Sequence, residues 1–285
     1  MRLRYVKVNP SGNTTVFILD PVPEKDYTYL TRLVMEHRHV GAEQVGFICK
    51  AKNSNLDLRM EMVGDSFCGN GSCAYAAWMS LRTGDGLELH NFSEREKEIA
   101  IEVSGPKEPL IANVRNMDSD YKCFVTITMP LPFRIRHGLD ETLGDYSLVE
   151  FEGISQLVLW NRKADDKDFP AAKELLIRQG AHIGCFGIMF YQQDSSTMKS
   201  LVYVGGADTL VWEESCGSGS SSVVAAMADR KKESILDLDI HQVGGTLTLS
   251  AYVRENKLST ISLGGIVEIT STGTIFIDEK EANRG

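Results

Sequence analysis

The chain has no apolar run near the ~20 residues a membrane helix needs, no low-complexity tract and no cluster of basic residues. The first absence argues against a spanning helix and against a membrane as partner. The second leaves a composition, 42% hydrophobic and 24% charged, that fits a packed globular protein. The third, with a formal net charge of −9, argues against nucleic acid as partner, because phosphate recognition rests on Lys and Arg. The segment MRLRYVKVNPSGN has basic residues but neither an apolar h-region nor a small-residue cleavage site, so a cytoplasmic protein is expected. The cysteines form no CxxC pair and have no histidine at ligand spacing, which argues against a structural zinc centre. Six cysteines in a long chain without a leader fit a reducing compartment, most of them as buried small hydrophobes.

What is present is mostly strand. LDLRMEM (56–62) sets Leu56, Leu58, Met60 and Met62 against polar neighbours, the period of a half-buried strand. EIAIEVS, CFVTITM, SLVYV, TLVW, ILDLDIH and TLTLSAYV read the same way. Four stretches read as helix. Two are amphipathic: about 25–38, with Leu30, Leu33 and Val34 on one face, and about 168–180, with Leu175 and Ile177. The other two, Ala74 to Met79 and Val223 to Met227, are apolar all round, as in a helix enclosed by other structure. A sheet curled around one central helix satisfies both the strand count and this pattern.

Each enclosed helix follows a cysteine and two glycines: FCGNGSCAYAAWM (67–79) and SCGSGSSSVVAAM (215–227). Cys68 and Cys216 stand 148 residues apart, and the same offset aligns Gly69 with Gly217, Gly71 with Gly219 and Ser72 with Ser220. VGFI (45–48) meets FGIM (186–189) at an offset of 141, and VSG (103–105) meets VGG (243–245) at 140. Three landmarks in one order imply a duplicated chain with its boundary within 115–130.

Glycine after cysteine permits a tight turn, and the helix that follows presents unpaired N–H groups and the positive end of its dipole. That end holds an anion such as a carboxylate and favours the thiolate of a neighbouring cysteine. One such turn alone is equally well a simple cap of a buried helix. Two at equivalent points of a duplicated chain suit two thiols on one carbon, one removing a proton and the other delivering one from the opposite face.

The pair CGNG and CGSG resembles the diaminopimelate epimerase and proline racemase superfamily, which racemises amino acids with two cysteines and no cofactor. With NPSGN (9–13), EQVGFI (43–48), WEESCGSG (212–219) and HQVGG (241–245), the chain is most similar to the histidine racemases of opine-metallophore (staphylopine-type) biosynthesis. The resemblance implies an α+β fold of two pseudo-symmetric lobes, each a β-barrel wrapped around a central helix. The lobes expected are 1–122, with a C-terminal strand 271–285 returning to it, and 123–270. It implies Cys68 and Cys216 as acid/base thiols, and Asn13, Gln44 and Asn70 as polar residues lining the substrate site. Backbone N–H groups of Gly69, Asn70, Gly217 and Ser218 would hold the α-carboxylate. The partner is a small-molecule amino acid, with no cofactor and no metal, and a homodimer is common in the superfamily.

The departures narrow the substrate. Diaminopimelate epimerases carry a Glu-Arg pair upstream of the second cysteine, where this chain reads VYVGGADTLVWEES without arginine, and Cys185 occupies the place of a second-lobe asparagine. Glu43 is the carboxylate suited to an imidazole N–H, or else a solvent-facing strand residue. Glu213 and Glu214 either contact the α-amino group or flank the strand, and His241 is assigned a structural role. The alternatives are a racemase or epimerase of proline, hydroxyproline or diaminopimelate type, and a non-racemising relative of the fold.

Overall fold

The structure is a computed structural model and describes residues 1–205 and 208–278. The chain divides into two compact units, Met1–Ile127 with Gly264–Gly285, and Thr128–Leu263.

The first unit contains β1 (Arg2–Pro10), β2 (Thr15–Ile18), β3 (Gln44–Lys50), β4 (Leu58–Met62), β7 (Glu96–Val103), β8 (Leu110–Asn116), β9 (Lys122–Met129) and the later part of the final strand β18 (Lys257–Phe276). They pair in that order, and β18 returns antiparallel to β1, from Arg2↔Phe276 to Pro10↔Val267, closing an eight-stranded barrel. Short strands β5 (Arg82–Thr83) and β6 (Glu88–Leu89) form a separate ribbon. Of the expected C-terminal strand 271–285, residues 271–276 belong to β18, and 279–285 lie outside the described residues.

Helices α1 (Tyr27–Met35) and α2 (Gly69–Leu81) explain why β2 is buried at every position. Its alternate residues Val16 and Ile18 pack with Leu30, Leu33 and Val34 of α1. Phe17, on the opposite face, meets Tyr75 of α2 edge-on with ring centroids 6.0 Å apart. Period-two alternation against helices on both faces therefore reads as an unbroken apolar run. Each fully buried leucine or valine of α1 contributes about 1.5–3 kcal/mol relative to exposure. Every residue of α2 except Met79 is buried, and the helix packs against β1, β7 and β8.

One polar side chain departs from the alternation read in β4. Arg59 is buried rather than solvated, because Glu61 (3.0 Å), Asp65 (2.8 Å) and Glu102 (3.2 Å) converge on its guanidinium. Burial opposes the charge on Glu102, but N–H groups of Asn53 and Lys52, with Arg59, hold its carboxyl below the usual range.

The second unit contains β10 (Arg134–Asp140), β11 (Gly144–Phe151), β12 (Ile154–Trp160), β13 (Cys185–Gln192), β14 (Thr197–Val204), β15 (Thr209–Glu213), β16 (Ile235–Gln242), β17 (Gly245–Arg254) and the start of β18. They pair as β10-β11-β12-β13-β14-β16-β17-β18, with β15 added on β14. Helix α3 (Phe169–Arg178) packs Ala172, Leu175 and Leu176 against Leu157, Leu159, Phe186 and Ile188. The reading of Ile177 as part of that face is corrected, since it is 55% exposed. The i, i+3, i+4 stripe runs through Leu176, and one further residue turns the side chain about 100° away. Helix α4 (Gly217–Lys231) is buried along most of its first three turns and packs against β11, β12, β13, β16 and β17.

Among the described residues the fold is an eight-stranded barrel with extra strands and four α-helices. Among the described residues no helix is long and apolar enough to cross a membrane.

Candidate active site

Both cysteines take the same local form. Cys68 is the N-cap of α2, with extended backbone, and its Sγ accepts the N–H of Gly71 at 3.3 Å. Cys216 is the N-cap of α4, also extended, and its Sγ accepts the N–H of Gly219 at 3.4 Å. The hydroxyls of Ser72 and Ser220 each bond back to the carbonyl of their cysteine at 2.8 Å. An N-cap acceptor takes one of the four N–H groups that a helix start leaves unpaired. Sulfur fills that place here, in line with the helix dipole.

The echoed glycine segments show what holds each cysteine. In the first unit, Gly105 has a left-handed φ of +94°, and a Cβ there would lie 2.6 Å from Phe67 Cβ and 3.0 Å from its backbone nitrogen. Ser104 Oγ donates to the carbonyl of Ser66 at 2.7 Å. In the second unit, the N–H of Gly244 donates to the carbonyl of Glu214 at 2.9 Å, and Gln242 Oε1 accepts the N–H of Cys216 at 2.8 Å. VSG and VGG thus each secure the approach to a cysteine.

Around Cys68 the thiol donates to Gln44 Oε1 at 3.1 Å, and Gln44 Nε2 donates to Thr15 Oγ1 at 2.8 Å. Thr15 Oγ1 in turn reaches the carbonyl of Asn13 at 3.5 Å. Asn13 is buried, as are Gly69 and Asn70 in the first turn of α2. The structure thereby links Cys68 to Gln44, Thr15 and Asn13. Glu43 is half-buried one residue ahead of β3, and its N–H bonds the carbonyl and the hydroxyl of Thr14.

Around Cys216 the environment is different. Glu213, at the end of β15, places its carboxylate near enough to the Cys216 thiol for its charge to act on it. Burial, then the charge of Glu213, push that thiol well above its ordinary pKa, while the Ser218 hydroxyl and the Gly219 N–H pull the other way. Burial raises the Glu213 carboxyl in turn. Of the two glutamates, Glu213 is half-buried at the sulfur, and Glu214 is exposed and offers its carbonyl to Gly244. Gly217 is buried, and Ser218 Oγ lies 3.6 Å from Cys216 Sγ. Cys185 is half-buried, its thiol raised by burial and then by the charge of Glu213. His241 is exposed and bonds Thr246 Oγ1 at 2.9 Å.

Sequence reasoning passed over three residues: Thr15, Gln156 and Gln242. Gln156 Nε2 donates to Ser218 Oγ at 2.9 Å. Its signal is an amide in ISQLVLW, an otherwise apolar buried strand. Cys49, Cys73 and Cys123 are free thiols. Burial raises Cys73 and pushes Cys123 up to about 12, and burial with the charge of Glu61 pushes Cys49 up to about 11.

The family model for the histidine racemase CntK N-terminal domain matches residues 2–276. The chain belongs to the histidine racemase family. A histidine racemase of Fusobacterium nucleatum subsp. nucleatum (strain ATCC 23726) is 31% identical over 280 residues, covering 96% of this chain and 97% of that one. A histidine racemase of Staphylococcus aureus (strain Mu50) is 23% identical, covering 97% and 98%. The fold is also that of a probable proline racemase from Agrobacterium radiobacter K84, with TM-score 0.63, 13% identity and coverage of 97% and 93%. A PhzF-family phenazine biosynthesis protein from Bacillus anthracis is similar as well, with TM-score 0.65, 14% identity and coverage of 97% and 100%.

Proposed function

We propose that the chain interconverts L- and D-histidine without a cofactor, using Cys68 and Cys216 as paired acid and base at the α-carbon. The observation that carries this is the recurrence of one device: a cysteine N-cap whose sulfur takes the i+3 N–H, on a buried helix, in each of two units. The two units are read as the lobes of a duplicated chain. The same order of pairings supports this: parallel β2–β3 and β12–β13 around an outer helix, then antiparallel β3–β4 and β13–β14, then parallel β4–β7 and β14–β16 after the cysteine helix.

In this reading a thiolate takes the α-proton from one enantiomer while the other cysteine, as thiol, delivers a proton from the opposite face. Negative charge developing on the α-carboxylate is met by the N–H groups at the helix starts, those of Gly69, Asn70, Gly217 and Ser218, without reorganisation. The Gln44–Thr15–Asn13 chain fixes the Cys68 thiol against a neutral acceptor. Glu43 accepts an imidazole N–H, the contact that favours histidine. Placement in a pathway of metallophore synthesis follows from the resemblance of the motifs, and the product would then be D-histidine.

A panel of single L-amino acids followed by chiral chromatography tests the substrate. D-histidine is expected to be the dominant product, unaffected by added pyridoxal phosphate or by a chelator. Faster conversion of proline or hydroxyproline would replace histidine with the alternative substrate class.

A further inference from the structure

Gln156 is fully buried on β12, among Leu157, Val158 and Leu159. An amide in such a place is costly unless its hydrogen bonds are met. Nε2 meets Ser218 Oγ at 2.9 Å, but Oε1 has no partner among the described residues. Room for the amide comes from Gly187 on the neighbouring β13, where a Cβ would lie 2.2 Å from Gln156 Oε1. Half of a buried amide thus goes unused in space left by a glycine, which suggests that its other half has a task.

A serine hydroxyl has one proton and two lone pairs. When Gln156 fills a lone pair of Ser218 with an N–H, the Ser218 proton is left to point elsewhere, and Cys216 Sγ is 3.6 Å away. We propose that Gln156 is a positioning residue that sets the polarity of the Ser218 hydroxyl, making it a standing donor to the sulfur of Cys216. The inference rests on reading Cys216 as an acid/base group. The two states of the sulfur are then set against each other: the charge of Glu213 favours the thiol, while Ser218 Oγ–H and Gly219 N–H support the thiolate. The Ser218 proton is never transferred.

Other groups around α4 do not offer this switch. Glu213 on β15 is the charged group bearing on the sulfur, and Cys185 of β13 lies within its influence. β12 contributes Gln156, and Gln242 of β16 bonds the backbone N–H of Cys216 and the hydroxyl of Ser220. His241 of β16 is exposed on Thr246, and Asp145 of β11 is held by Arg230 in the last turn of α4. β17 adds Tyr252 and Arg254, both in its last three residues.

The test follows iodoacetamide labelling of Cys216 against pH in the full chain, read by mass spectrometry of its peptide. Gln156→Leu and Gln156→Glu are each expected to raise the pH of half-maximal labelling by about one unit, the scale of one charge-assisted hydrogen bond. The second does so because a carboxylate accepts the hydroxyl and turns it from sulfur. Ser218→Ala, at a half-buried position, gives the same rise. Adding Gln156→Leu to Ser218→Ala gives no further rise. An unchanged Cys216 profile in Ser218→Ala, or a full second shift in the double variant, overturns the relay. Labelling requires no turnover, so its outcome stands apart from failure of the racemase reading, which isotope exchange reports.

Discussion

Cys68→Ser and Cys216→Ser are each expected to lower histidine racemisation by at least about 10³-fold, within the range for loss of a general acid or base. Serine is a hydroxyl too weakly acidic to supply the base near neutral pH. It is also among the best N-cap residues, so it can still take the N–H of Gly71 or Gly219. The thermal unfolding midpoints of the two variants should therefore stay within a few degrees of the parent. Loss of activity at constant stability separates chemistry from capping. Full activity in both serine variants would show that the cysteines only cap.

The second large effect is expected at Gly105, which packs against the residue before Cys68. Alanine there meets Phe67 Cβ at 2.6 Å and its backbone nitrogen at 3.0 Å, at a φ of +94°. The residue displaced immediately precedes Cys68, and a shift near 1 Å in a reacting group costs about 10²-fold. Gly105→Ala should thus lower turnover by about 10²-fold and destabilise the fold by about 1–3 kcal/mol. Gly64 is the control, since it also has a positive φ, of +72°, but has nothing within 4 Å of its Cβ position. Gly64→Ala should show only the stability loss, measured by urea unfolding. Equal losses of turnover in the two variants would contradict the role given to Gly105.

Much of the fold was legible because the sequence repeats the same signal at two places. Two cysteines before all-apolar helices stood out in the chain, and both helices are where that pattern puts them. The amphipathic face of α1 was read correctly from Leu30, Leu33 and Val34. The face of α3 was misread by one residue, because Leu176 and Ile177 are equally apolar and only packing chooses between them. Arg59 is one of the polar neighbours in an alternating strand, and nothing local announces that Glu102, 43 residues on, will neutralise it.

In the candidate site, Cys68 bonds Gln44, which the sequence reading named only as a polar residue of the substrate site. The partners of Cys216 were less visible. Gln156 stands 62 residues before Ser218, and only strand alternation with α3 on one face sends it toward α4 on the other. Glu213 and Glu214 are adjacent in sequence and chemically alike; the pairing of β15 with β14 decides which one reaches the sulfur. Such choices are made by tertiary packing, and a single chain read residue by residue does not contain them in local form.

The central claim is that two thiols act on opposite faces of one α-carbon. It is tested most directly by running the reaction in deuterium oxide from each pure enantiomer of histidine and analysing the first few per cent of conversion. The account predicts product carrying one α-deuterium while the recovered substrate is still protiated, in both directions. Product that keeps the original α-proton, or deuterium entering the substrate without inversion, would contradict it.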